Sequence, residues 1–233
     1  MAVSEFNFDS GFVIADKYKI ISKLGGGWEG EVYLSKEVNT GIERTAKFFY
    51  PQRGGSAVAY AKKLYKVRDC PAIIQYHHSI STRFGAQDVT CVISEYVDGV
   101  ILESYLETRR GKKLGEYEAL HLLYALTKAV ESLHELGEYH GDLHTGNIFV
   151  RRKGIFYDIK LIDLFDWKDS KRENMRKDVC DLVKIFYSLL GPNRTYSSLS
   201  PELKYLCGGL KSNIILKRFP NIKALRRHLE GLS

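Results

Sequence analysis

With 233 residues, 44% apolar and 27% charged, the chain has ordinary globular values and can bury a substantial core, as one compact domain or two small lobes sharing a cleft. Cys70, Cys91, Cys180 and Cys207 are scattered without a C-x-x-C pair, which argues against a disulfide framework or zinc site and for a reduced, cytoplasmic protein. The net charge of +7, concentrated at 109–113 (RRGKK) and after residue 199, suits a nucleotide, an acidic or phosphorylated protein, nucleic acid or anionic lipid, or else only a solvated positive face.

The N-terminal stretch has no basic segment followed by an apolar one, so no secretory leader is expected, and no uncharged run of 18 apolar residues predicts a membrane span. YKIISKL (18–24) and EVYLSKE (31–37) read as strands flanking a Gly-rich turn, and ERTAKFFY (43–50) follows a turn at Asn39-Thr40-Gly41. VAYAKKLYKV (58–67) reads as a basic helix, with AIIQYHHSI (72–80) and DVTCVISEYV (88–97) as further strands. From Glu116 to Leu136, Leu120, Leu123, Leu126, Val130 and Leu133 recur at a helical period, and Gly137 suits the cap. Leu164 to Lys177 carries no pattern; Asp178 to Leu190 is an apolar helix bounded by Gly191 and Pro192. The last stretch places Ile222, Leu225, Leu229 and Leu232 on one helical face and Lys223, Arg226 and Arg227 outside, as in a docked final helix. A β-rich part, 1–97, thus precedes an α-rich part, 98–233: an α+β, two-lobed reading.

Several residues carry chemistry. Gly25-Gly26-Gly27-Trp28-Glu29-Gly30-Glu31-Val32 fits G-x-G-x-x-G-x-V between two strands. Such a loop serves a tight hairpin, or lets backbone amides approach phosphates where no β-carbon intervenes. Because it enters a strand and not a helix, it does not fit a dinucleotide-binding turn. Lys47 interrupts an otherwise apolar strand, so it either meets an anion there or lies on an edge facing water. The loop HGDLHTGN (140–147) follows the long helix, and Leu161-Ile162-Asp163 ends an apolar strand soon after. Asp142, Asn147 and Asp163 offer hard oxygen ligands suited to Mg²⁺ shared with a phosphate, whereas zinc on His140 and His144 lacks a third ligand at suitable spacing. His77, His78 and His134 read as packing or surface histidines.

In this order and at these spacings, the Gly-rich loop, the T-A-K strand, S-E-Y-V (94–97), H-G-D-L-H-T-G-N and L-I-D-L-F resemble the protein-kinase-like superfamily, as a compact eukaryotic-like Ser/Thr kinase, from about Tyr18 to Leu229. The resemblance implies a protein-kinase-like fold with an ATP-binding N-lobe (1–97) and a mainly helical C-lobe (98–233). It implies ATP and Mg²⁺ as cofactors. Gly25, Gly26, Gly27 and Gly30 would cover the phosphates, Val32 and Ala46 would line the nucleotide site, and Lys47 would hold the α/β-phosphates. The backbone of Glu95 and Val97 would meet adenine, with Ser94 at the gatekeeper position. Asp142 would accept the proton of the attacking hydroxyl, beside His144; Asn147 and Asp163 would bind Mg²⁺; His140 would support the loop, and Asp178 would brace it from a helix N-terminus.

Four features depart from that pattern. Residues 50–68 contain no acid to pair with Lys47, the expected slot lying near Tyr60. Gly141 stands where many protein kinases have an arginine that reads a loop phosphate. Asp163 to Asp178 spans 15 residues, lacks A-P-E and holds Ser170 as its one hydroxyl, so no activation by loop phosphorylation is expected. His144 replaces the catalytic-loop lysine, as in small-molecule and lipopolysaccharide-core kinases. A protein Ser/Thr acceptor is therefore the leading reading, with a small-molecule or lipopolysaccharide-sugar kinase and a nucleotide-binding pseudokinase scaffold as alternatives. Trp167 either seals the short segment or merely packs. No nucleic-acid partner is required.

Overall fold

The computed structural model describes residues 5–154, 156–167, 169–191 and 196–232; Pro192, read above as a helix boundary, lies outside them. The chain divides into two compact units, one comprising the chain through Asp69 with Ile74–Val97, the other Cys70–Ile73 with the chain from Asp98.

The first unit is an antiparallel sheet with one helix. Its strands are β1 (Val13–Ile14), β2 (Tyr18–Gly26), β3 (Gly30–Glu37), β4 (Glu43–Phe49), β5 (Tyr76–Phe84) and β6 (Gln87–Glu95), in the order β1-β2-β3-β4-β6-β5, and helix α1 spans Gly54–Lys66. Strand alternation sorts β4 into two faces. Ala46 and Phe48 turn toward a buried cluster with Phe6, Tyr18, Ile20, Tyr33, Cys91 and Ile93, while Lys47 and Phe49 turn the other way.

The predicted strand at 72–80 is displaced: pairing begins at Tyr76, because Cys70–Ile73 belongs to the second unit, where Ala72 accepts from the Leu161 amide at 2.7 Å. Helix α1 starts at Gly54, earlier than its apolar residues suggest, because a 3₁₀ turn at Pro51–Arg53 runs straight into it.

The segment before β1 lies over the aromatic face. The Phe6 ring packs 5.3 Å from Tyr50 and 5.2 Å from Phe84, and Phe8 lies 4.7 Å from Phe48. Its anchor is Glu31, buried beside the cluster, which accepts from the amides of Phe6 (3.2 Å) and Asn7 (3.1 Å) and from the Tyr33 hydroxyl, and pairs with Lys23 at 2.8 Å. Burial raises the carboxyl's pKa, but Lys23, Tyr33 and the two amides outweigh it and hold Glu31 below the ordinary carboxylate range. Burial and Glu31 push Tyr33 up in turn. Glu31→Ala should cost about 3 kcal/mol, since it orphans two amides and a hydroxyl, and should free the Phe6 segment to proteolysis. Urea melts check this. Because the native pKa is depressed, Glu31's contribution is full near neutrality and fades as pH falls through that value, so the gap to the variant should close in acid.

The second unit holds β7 (Val100–Ile101), β8 (Ile148–Lys153) and β9 (Phe156–Leu161) in one small antiparallel sheet. Its helices are α2 (Leu102–Glu107), α3 (Glu116–Glu135), α4 (Lys171–Leu189), α5 (Pro201–Cys207), α6 (Ser212–Arg218) and α7 (Ile222–Glu230). Helix α3 buries Leu122, Leu123, Leu126, Val130 and Leu133, and packs against α4, α7 and β9. Helix α4 begins at Lys171, not Asp178: the Ser170 hydroxyl caps it by accepting from the Glu173 amide at 3.2 Å. The signal is Ser-x-x-Glu, hidden because the first two turns are polar and the apolar period starts only afterward. On α7, Arg226 is not an outward charge; its guanidinium meets Glu131 of α3 at 2.7 Å and Glu230 at 2.8 Å. No helix among the described residues is long and apolar enough to cross a membrane.

Candidate functional site

In the first unit, the Gly-rich stretch is the connection from β2 to β3, with Gly25 opposite Val32 and Gly26 opposite Glu31. Its glycines differ in what demands them. A β-carbon on Gly25 or Gly27 would meet nothing within 4 Å, so these positions keep open space beside the backbone. On Gly30 it would run into the Phe48 carbonyl oxygen. The sheet itself therefore requires Gly30, independently of anything the loop covers. The exposed Trp28 ring is covered by Arg53, 4.7 Å away.

Lys47 is 8% exposed and sits in register between Val32 and Val92 on the neighbouring strands. Its Nζ lies 3.2 Å from Glu29 Oε2, 4.6 Å from the Tyr60 ring centroid and 5.0 Å from that of Phe49. So the slot where an acid was expected on α1 holds a buried tyrosine face, and a carboxylate arrives from the Gly-rich loop. Ala46 is a correction. Its alternation places it on the opposite face from Lys47, fully buried in the aromatic cluster, and its side chain is not among the groups beside Lys47. Thr45, in register with Leu34 and Ser94, shares the Lys47 face instead. Ser94 is buried; the Glu95 amide donates to Gln75 O at 2.8 Å, and Val97 follows the end of β6, half-buried.

In the second unit, the loop from His140 to Asn147 is held from behind by Asp178. This fully buried carboxylate accepts from the amides of His140 (2.8 Å) and Gly141 (3.0 Å), and its Oδ2 lies 3.0 Å from His134 Nε2. Asp178 acts from the interior of α4 and not from a helix N-terminus, because α4 starts two turns earlier. His134, read as a packing histidine, is one of its partners. The buried His140 accepts the Asp142 amide on Nδ1 at 3.3 Å, and its carbonyl accepts from Phe165 N at 2.9 Å. Asn147 donates Nδ2 to the Asp142 carbonyl at 3.0 Å and to Asp142 Oδ2 at 3.3 Å, while its carbonyl accepts the Ile162 amide at 3.1 Å. The strand end carrying Asp163 is thereby tied to the loop, and Asp163 itself takes a left-handed φ of 55°. The Asp142 side chain stays 53% exposed, with His144 Nε2 at 3.8 Å. His144 Nδ1 accepts the Gly146 amide at 3.1 Å, so that ring nitrogen is the unprotonated one.

A model of the protein kinase domain matches residues 18–183. The chain belongs to the protein kinase family. It is 31% identical over 145 residues to a serine/threonine-protein kinase of Arabidopsis thaliana, covering 60% of this chain and 24% of that one. It is 30% identical over 149 residues to the human serine/threonine-protein kinase Nek11, covering 60% and 22%, and 28% identical to the putative cyclin-dependent kinase F-2 of rice, covering 64% and 46%. The chain thus spans less than half the length of these relatives. The PknI kinase domain of Mycobacterium tuberculosis shares the fold, with a TM-score of 0.71 over 97% of this chain and 98% of that one at 18% identity.

Against the kinase pattern, Gly141 now has a local cause. Its φ is 86°, and a β-carbon would sit 2.8 Å from Phe165 O, 3.0 Å from the Tyr139 ring and 3.1 Å from Trp167. No arginine fits there. The short segment after Asp163 is closed by its own clasp: Trp167 Nε1 donates to Gly141 O at 2.8 Å, Tyr139 OH donates to Trp167 O at 2.9 Å, and Lys177 donates to Gly141 O at 3.1 Å while lying 5.1 Å from the Trp167 ring. Burial, then the Asp166 charge, push the Tyr139 phenol up to about 12, so it remains a donor throughout the working pH range. Among the described residues no group of three or more His, Cys, Asp or Glu side chains has metal-site geometry.

Proposed function

We propose that this chain is a Mg-ATP-dependent phosphotransferase that moves the γ-phosphate to a serine or threonine hydroxyl of a protein. The observation that supports this best is the pairing of Asp142 with Asn147. One carboxylate is left accessible, and an amide is oriented by its own NH₂ group, so that its oxygen is the end offered to a cation. Asn147 Oδ1 and the Asp163 carboxylate are hard oxygen donors of the kind magnesium takes beside phosphate, so the donor set fits the metal. When bound, magnesium would neutralise charge on the phosphate oxygens.

Each remaining task falls to a named group. Lys47 would meet the α/β-phosphates as a cation, Gly25 and Gly27 would leave room for phosphate against the loop backbone, and Val32 and Thr45 lie on the face that would receive the base. Since the Glu95 amide is committed to Gln75, Glu95 would address adenine through its carbonyl, and Val97 through its backbone. Asp142 would take the proton of the acceptor hydroxyl, and His144 beside it would help hold that charge. On this reading the part through Val97 handles nucleotide and the part from Asp98 handles metal and acceptor. The four cysteines are buried free thiols, which supports a cytoplasmic setting.

A small-molecule or lipopolysaccharide-sugar acceptor is the second reading, favoured by His144 in the lysine's place. Calorimetry with Mg²⁺ and a non-hydrolysable ATP analogue should show metal-linked uptake by the wild type. Asp163→Ala should lose that metal dependence, with affinity falling about tenfold or more, since one charge-assisted ligand is worth roughly 1.5–3 kcal/mol. Incubation with labelled ATP then separates the acceptors: label on protein supports the leading reading, label on a sugar or small alcohol the second. No nucleotide uptake sinks both.

A further inference from the structure

Lys47 receives no acid from α1, and its charge is met from the other side. We propose that Glu29 is the positioning residue for Lys47, a carboxylate on the Gly-rich loop that holds the ammonium in place for the phosphates. The inference rests on the nucleotide reading above and deepens it.

Three observations carry it. First, the pair is sheltered: the side chains of Lys47 and Glu29 are 10% and 20% exposed, at 3.2 Å, so solvent screens it far less than a surface pair. Second, Glu29 is not on a free-swinging tip. Its carbonyl accepts from the Tyr50 amide at 2.9 Å, Gly27 N closes the turn onto Gly30 O at 2.9 Å, and Gly30 abuts the Phe48 carbonyl. The Trp28 ring is pinned under Arg53. Third, the helix side of the ammonium is filled by the Tyr60 and Phe49 rings, which favour a cation and exclude water but offer no carboxylate. An ammonium has three N–H donors, so holding Glu29 does not by itself exclude phosphate oxygens as further acceptors. Loop position and lysine orientation then become one coupled setting, because the same turn supplies the open glycines and the acid.

The test begins without nucleotide. In the full chain, acylation of Lys47 by an N-hydroxysuccinimide ester, read by mass spectrometry at that site, should run about tenfold faster in Glu29→Gln, because a neighbouring carboxylate favours the ammonium over the reactive free amine. Glu29→Asp should stay near wild type. An unchanged rate in Glu29→Gln overturns the pair itself, whatever the chain does with ATP. Calorimetry with the Mg²⁺–ATP analogue should then show Glu29→Gln about tenfold weaker, and Tyr60→Glu in that background should return affinity to within a few fold, by supplying the acid from the helix. Tighter binding by Glu29→Gln would mean that the carboxylate competes with phosphate and does not position Lys47, which overturns the proposal while leaving the nucleotide reading intact. Absence of wild-type uptake would remove that reading and this one with it.

Discussion

Asp178→Ala is expected to lose about 4 kcal/mol of stability and, with it, the shape of the loop that carries Asp142. The carboxylate is wholly buried and satisfies the amides of His140 and Gly141 while meeting the His134 imidazole. Alanine leaves those buried groups without their acceptor, at roughly 1–3 kcal/mol each, and no water-filled surface is at hand to replace it. A total near 4 kcal/mol is a large share of the roughly 5–15 kcal/mol that holds a domain together. Asp178→Asn keeps the volume but turns an NH₂ toward one donor, so it should recover less than half of the loss. The His134→Ala variant removes one partner of three and should cost only about 1 kcal/mol. Urea midpoints order the three. A stable Asp178→Ala protein with full activity would show that the loop needs no brace.

Asp142→Ala should do the opposite: leave the fold intact and remove transfer. The side chain is more than half exposed, and the loop's main-chain bonds do not depend on it. The Asp142 amide still reaches His140 Nδ1, and its carbonyl still receives Asn147 Nδ2; the 3.3 Å bond from Asn147 to Oδ2 and the exposed 3.8 Å approach of His144 Nε2 disappear. Stability should therefore move by no more than ~0.5 kcal/mol, as for other exposed substitutions. Turnover should fall by about 10²–10⁴, the usual worth of a positioned base, while nucleotide affinity stays within a few fold. Single-turnover assays with labelled ATP beside analogue calorimetry separate the two quantities. Wild-type turnover in Asp142→Ala would remove the residue from its proposed role and with it the argument for an acceptor hydroxyl at this loop.

The contrast between these two aspartates shows what a motif can and cannot convey. HGDLHTGN names both the accessible carboxylate and the asparagine beside it, since loop chemistry with fixed short spacing is visible in one dimension. Strand alternation was equally legible in principle: the period of two sends Ala46 into the aromatic cluster and leaves Thr45 on the face of Lys47. The start of α4 was less so. Its polar first turns have no apolar period, and only the Ser170–Glu173 cap marks them. Glu31 and His134 gave no signal at all, being ordinary polar residues until the fold buries them.

The order of strands and helices, the Gly-rich turn, the lone lysine in an apolar strand and the polar loop were determined by the sequence alone, because each depends on neighbours within a few residues. Only the tertiary structure decided that Glu29 meets Lys47, why Gly141 excludes a side chain and what stands behind the loop from His140 to Asn147. Glu29 and Lys47 are 18 positions apart, and Asp178 lies 37 and 38 from the amides it accepts. Hydrogen bonds and ion pairs act over about 3 Å of space whatever the length of chain between the partners, and local pattern carries no record of which distant residues packing will bring within that reach.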